Sequence, residues 1–137
     1  MDWNVIGKEA VQLLSEYVQI DTTNPPGNEH RATAFIGRIL EKEGIPCQIF
    51  ESAPGRSNLY TCLKGDGTRR PVILLSHSDV VPVDRTYWSV DPFGGVIKDG
   101  YIWGRGTLDM KNLGIAELMV FLALHRGKFP LKRDVIL

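Results

Sequence analysis

An excess of charge of one sign is missing from this 137-residue sequence, in which sixteen Lys and Arg balance sixteen Asp and Glu. The longest basic clusters are the pairs Arg69-Arg70 and Lys132-Arg133. Nucleic-acid binding needs a basic patch or stripe, so that class of function is set aside. Also missing is an apolar run long enough to cross a bilayer: LGIAELMVFLAL is interrupted by Glu117 and falls short of the ~20 residues a span requires. The opening MDWNVIGKEA has neither the basic nor the apolar stretch of a secretory signal. Cysteine is scarce. Cys47 and Cys62 lack C-x-x-C spacing, so in a reducing compartment they read as small buried hydrophobes, with a disulfide between them as the alternative. The expectation is a cytoplasmic protein with neither a membrane nor a nucleic acid as partner.

What is present is the composition of one globular domain, 43% hydrophobic and 23% charged, large enough to bury roughly two thirds of its unfolded surface. Ile6, Ala10, Leu13, Leu14, Tyr17 and Val18 recur at helical spacing, predicting a helix over Val5 to Ile20. Pro25, Pro26 and Gly27 break it, and Asn28 is placed to cap a second helix, Glu29 to Glu43, which stops at Gly44. Strand-like runs follow at Ile45 to Glu51, Asn58 to Lys64 and Pro71 to Ser76, the last apolar enough to be buried. VIKDGYIWG predicts a hairpin turning at Asp99-Gly100. Lys111 to Arg126 is apolar nearly all round, which suits a helix buried between layers. The final RDVIL resembles the opening of a further strand, so the chain is expected to end inside a fold. Helices interleaved with strands predict an α/β fold of three αβα layers with a mixed sheet.

Two stretches carry chemistry. In LLSHSDVVPVD, a strand runs into His77 and Asp79, which are two apart and so share a face. An imidazole can bind a metal through one ring nitrogen while a carboxylate accepts the N–H of the other, fixing the tautomer. The plainer alternative is a solvated strand end. In GRGTLDMKN, Gly104 and Gly106 precede Asp109, as wanted where backbone approaches closely or φ is unusual, and a helix begins just after. Asp109 is then either a ligand or simply an N-cap. The stretch is not a dinucleotide fingerprint, because Asp109 stands where the third glycine belongs.

In order along nearly the whole chain, IDTTNPPGNE, LLSHSDVVPVD, the YWSVDPFGG loop and KDGYIWGRGTLDMK resemble the dinuclear zinc aminoacylase and carboxypeptidase family, which includes acetylornithine deacetylase and succinyl-diaminopimelate desuccinylase. The resemblance implies a truncated zinc-exopeptidase-like fold, with residues 1–137 as the N-terminal part of a metallohydrolase catalytic domain and the lid and dimerisation domain absent. It implies His77 as a zinc ligand, Asp79 as the catalytic-site aspartate that orients it, and Asp109 as the carboxylate bridging two zinc ions. Cobalt would be a substitute metal. It also implies a cis peptide bond after Asp109, a Glu-Glu pair beyond the RDVIL strand, and a homodimer for the full-length protein. The implied reaction is hydrolysis of an amide bond in a small peptide or N-acyl amino acid. With two recognisable ligands, against the three usual for a catalytic zinc, the 137 residues alone are expected to be inactive. The alternative class is a non-catalytic α/β binding module in which these three residues are structural.

The remaining candidates are weaker. His30 and His125 lie in helix end turns, and His125 suits a capping role at its own helix C-terminus. Trp88 and Trp103 read as core or cleft-lining aromatics, core being the commoner outcome. Asp84, Asp91 and Asp99 sit in turns and need no function. Whether the Thr22-Thr23-Asn24 loop faces a cleft is left open by the sequence.

Overall fold

The computed structural model describes residues 2–137. Helix α1 (Trp3–Val18) opens with the Asp2 carboxylate accepting the Asn4 N–H at 2.9 Å, an N-cap that the periodicity alone does not reveal. Helix α2 spans Glu29–Lys42. Asn28, expected to cap it, makes no side-chain cap bond, because its φ of −162° and ψ of 41° depart from the extended cap conformation. The first acidic side chain of that turn, Glu29, meets the positive end of the helix instead.

Strands β1 (Gln48–Ala53) and β2 (Arg56–Tyr60) pair antiparallel, with a register shift between Glu51 and Ala53. The run expected as one strand to Lys64 thus divides into β2 and β3 (Cys62–Leu63). In the central sheet β7 (Val135–Ile136) lies between β3 and β4 (Val72–Ile73), antiparallel to the first and parallel to the second. That is the mixed pairing expected. The Asp134 carboxylate holds its entry, accepting the Gly65 N–H at 2.9 Å and the Lys64 ammonium at 2.8 Å. Strands β5 (Val96–Lys98) and β6 (Tyr101–Trp103) form the predicted hairpin, Asp99 and Gly100 turning with φ of 54° and 80°.

The PVILLS run is where local apolarity misleads. Strand β4 itself covers only Val72 and Ile73, and Ile73 and Leu75 are 62% and 78% exposed. Side chains alternate between the faces of a strand: Leu74 packs against the core, whereas Ile73 and Leu75 on the other face lie outside it. Helix α3 (Asn112–Gly127) buries Ile115, Leu118, Met119, Phe121, Leu122 and Ala123 while Leu113 and Val120 face outward. It is therefore buried on one broad face and not all round.

One core joins the three helices to the sheet: Tyr17, Ala32, Phe35, Leu40, Leu118, Phe121 and Val135 are all buried in it. The Tyr17 and Phe35 rings stack with centroids 5.4 Å apart. Each fully buried Leu or Phe contributes roughly 1.5–3 kcal/mol. At the far end Arg126 of α3 bonds Glu9 of α1 and Glu43 at the end of α2, with distances from 2.6 to 3.0 Å. His125 Nε2 lies 3.2 Å from the Glu43 carbonyl. The histidine thus serves the C-terminus of the neighbouring helix, not of its own. Cys47 and Cys62 are free thiols, each half-buried.

Candidate metal centre

After Leu74, whose N–H donates the last sheet bond to Ile136 at 2.8 Å, the chain leaves the ladder and its partner becomes the loop after α1. The Thr22 hydroxyl donates to the Ser78 carbonyl at 2.6 Å, and Val80 exchanges bonds with Thr22 and Asn24 at 3.2 and 2.9 Å. Thr23 and Val80 form a parallel bridge. The Asn24 amide donates to Asp79 Oδ2 at 2.9 Å. Thr22 and Asn24 therefore brace the His77–Val80 segment. The sequence left open whether this loop faces a cleft and did not reveal this role.

The second half is the turn at Gly106. Its φ of +86° is one that an L side chain rarely adopts, and a Cβ there would lie 2.6 Å from Val80 Cγ1. A Cβ on Gly104 would press into Val18. Both glycines thus permit the close approach the sequence anticipates. The chain then makes one wide turn over Thr107–Lys111, inside which Asp109 is non-helical at φ −127°, ψ 98°. Helix α3 starts after it with Lys111 at the cap position, so Asp109 is not an N-cap. The Asp109–Met110 peptide is cis, as the resemblance implies.

These two halves bring the three predicted residues together. His77 Nδ1 lies 3.1 Å from Asp79 Oδ1 and 3.1 Å from the Asp79 carbonyl, and His77 Nε2 lies 3.0 Å from Asp109 Oδ1. With the Nδ1 proton held by Asp79, a neutral imidazole would turn the lone pair of Nε2 towards a carboxylate oxygen. Only a proton or a metal cation between the two atoms resolves that opposition. Neighbouring ligands on a tetrahedral zinc with ~2.0–2.2 Å bonds stand roughly 3.3 Å apart, so the donor set fits such an ion with little movement. Among the described residues no group of three or more His, Cys, Asp or Glu is arranged for a metal, and the donors here number two.

The electrostatics agree with the geometry. Burial opposes charge on His77, but the bond to Asp109, the Asp79 carbonyl and both carboxylate charges outweigh it and hold the imidazole above its ordinary value. The Asn24 amide, followed by the charge of His77, holds Asp79 below the usual carboxylate range against a modest burial cost. Asp109 is 85% exposed at its side chain and His77 48%, so the pair opens to solvent. His77 and Asp79 also line a cavity of about 480 Å³ shared with Leu74, Ser57 and Glu29.

Two other charged groups near the centre escaped the sequence reading. Glu29 is 7% exposed, with Arg56 Nε 2.8 Å from its Oε2 but off the hydrogen-bonding direction. Lys111 is 1% exposed, and burial pushes its ammonium down to about 8 against the opposing charge of Asp21. The tryptophans expected in the core are elsewhere. Trp103 is 41% exposed, and Trp88 is half-buried with the Arg105 guanidinium 5.5 Å from its ring centre. His30 Nδ1 meets the Gly55 carbonyl at 3.3 Å, away from the centre.

Residues 73–137 match the sequence model of Peptidase family M20/M25/M40. Aminoacylase-1 of Sus scrofa is 40% identical over 113 residues, covering 80% of this chain and 27% of that protein. A succinyl-diaminopimelate desuccinylase of Cereibacter sphaeroides is 38% identical over 112 residues, covering 81% of this chain and 28% of that protein. The crystal structure of the M20 family metallo-carboxypeptidase Sso-CP2 from Sulfolobus solfataricus superposes with a TM-score of 0.81 at 24% identity, over 99% of this chain and 30% of that one. The fold therefore matches the three-layer, zinc-exopeptidase-like α/β architecture. The chain spans between a quarter and a third of the length of these relatives.

Proposed function

We propose that this chain, which resembles peptidase family M20/M25/M40 in sequence and fold, forms the N-terminal part of the catalytic domain of a metal-dependent amide hydrolase. His77 and Asp109 are metal ligands, and Asp79 orients the imidazole. The observation that carries this reading is the meeting of His77 Nε2 and Asp109 Oδ1 at 3.0 Å, with the opposite ring nitrogen held by Asp79. Thirty-two positions separate the two ligands, and nothing in packing alone requires two such groups to point their acceptors at one another.

The metal expected is zinc, two ions in the complete centre, which His77 and Asp109 would help to hold, with cobalt as a substitute. When bound, such ions polarise a scissile carbonyl and lower the pKa of a bound water towards 7. This chain's own residues bind and orient. Asp79 fixes the tautomer that leaves Nε2 free to ligate, and Asn24 fixes Asp79. The substrate class supported by the relatives is a small peptide or an N-acyl amino acid. The two free thiols and the lack of any helix long and apolar enough to cross a membrane among the described residues go with a cytoplasmic setting.

Metal titration of the full-length protein tests the reading. Zinc or cobalt affinity is expected to fall by at least an order of magnitude in His77→Ala and in Asp109→Ala. Affinity indifferent to both substitutions would replace the hydrolase with a non-catalytic binding module.

A further inference from the structure

Lys111 is the most deeply buried charged side chain among the described residues, 1% exposed against 7% for Glu29, and no part of the proposed chemistry uses it. Its ammonium donates to the carbonyls of Tyr17 and Ile20, at 3.0 and 2.6 Å, where α1 ends. It also lies 4.9 Å from the centre of the Tyr17 ring. Carbonyls at the negative end of a helix and an aromatic face both favour a cation. Its backbone N–H donates to the Gly106 carbonyl at 2.8 Å. Its Cδ and Cε pass beneath Gly106, 3.3 and 3.5 Å from where a Cβ would stand. One side chain thus fastens the end of α1 to the turn that carries Asp109.

That turn has little else to hold its carboxylate. Asp109 is exposed, non-helical, and its side chain makes one hydrogen bond among the described residues, to His77. The opposing segment is anchored to the same helix end. Val80 touches the space above Gly106, and the Thr22 hydroxyl, just beyond the end of α1, donates to the Ser78 carbonyl at 2.6 Å. An apolar side chain of similar volume would fill the site occupied by Lys111 without the desolvation penalty of an ammonium. What it would lack is direction, because packing tolerates a slide along α1 that two carbonyl bonds at fixed residues do not.

We infer that Lys111 is a positioning residue: by clamping the 106–111 turn to the C-terminal end of α1, it sets Asp109 beside His77 before any cation arrives. The inference rests on the reading of His77 and Asp109 as ligands. The test uses cobalt titration of the full-length protein followed by visible absorption, with Lys111→Met and His77→Ala. Lys111→Met, folded by circular dichroism, is expected to bind cobalt at least ~10-fold more weakly, the effect usual for partners that orient ligands, with shifted absorption bands. A folded Lys111→Met with parental affinity and bands overturns the inference. Should that variant fail to fold, hydrogen exchange on the parent decides. The Lys111 amide is expected to be equally protected with and without metal, whereas protection that develops only on cobalt binding shows that the cation sets the turn, and overturns the inference. Binding that is indifferent to His77→Ala sinks the ligand reading, and the inference with it. Binding that depends on His77 but not on Lys111 sinks the inference alone.

Discussion

Gly106→Ala separates two contributions to the geometry of the metal centre. The backbone at Gly106 has φ +86°, where a Cβ costs about 1 kcal/mol relative to glycine. The added methyl would also lie 2.6 Å from Cγ1 of Val80, which is 4% exposed and cannot swing into solvent. Overpacking of that kind costs typically ~1–3 kcal/mol. The sum is a loss of about 2–4 kcal/mol. Gly67 supplies the control, because its φ of +77° is similar and nothing lies within 4 Å of its would-be Cβ. Gly67→Ala should lose only the backbone part, about 1 kcal/mol. In urea, with a slope of roughly 2 kcal/mol per molar, the midpoint should fall by about 1–2 M for Gly106→Ala and by about 0.5 M for Gly67→Ala, with slopes unchanged. Equal shifts for the two would refute the argument that Val80 and the Gly106 turn are in tight contact. Val80 adjoins Asp79, so the same variant should also bind metal more weakly, while Gly67→Ala should bind as the parent does.

Asp79→Asn keeps the shape but removes the charge that holds the His77 tautomer, and should lower metal affinity about 10–100-fold by calorimetric titration. Glu43 is held below the usual carboxylate range chiefly by its bond to Arg126. Its contribution is therefore present above the unfolded carboxylate pKa and is lost as pH falls through the folded one. Arg126→Gln should cost about 1–2 kcal/mol at neutral pH, discounted for partial exposure, and flatten the acid limb of a stability–pH curve. Burial pushes Tyr17 up to about 12 against a bond to Ser78. The unfolded chain then loses this proton near pH 10 while the folded one keeps it, so ultraviolet titration should show a tyrosine ionising near 12 and stability falling between those values.

The sequence alone determined whatever depends on neighbours a few positions apart. Helical periodicity located α1, α2 and α3 to within about two residues at most of their ends. Asp99-Gly100 set the hairpin, and the glycines at 104 and 106 announced a close approach. His77 and Asp79 meet because they are near in the chain, which a spacing of two already expresses. Contacts between distant elements were decided only in the tertiary structure. The resemblance named Asp109 as a partner of His77, but the pairing at 3.0 Å depends on Val80 packing over Gly106. Neither the brace of Thr22 and Asn24 nor the burial of Lys111 has a local signature, since a polar loop and a lysine at the start of a helix ordinarily face water. The exposure of Ile73 and Leu75 has the same cause. Apolar sequence states a preference for burial, but the neighbour that fulfils it is fixed by topology, and that lies outside any short window of residues.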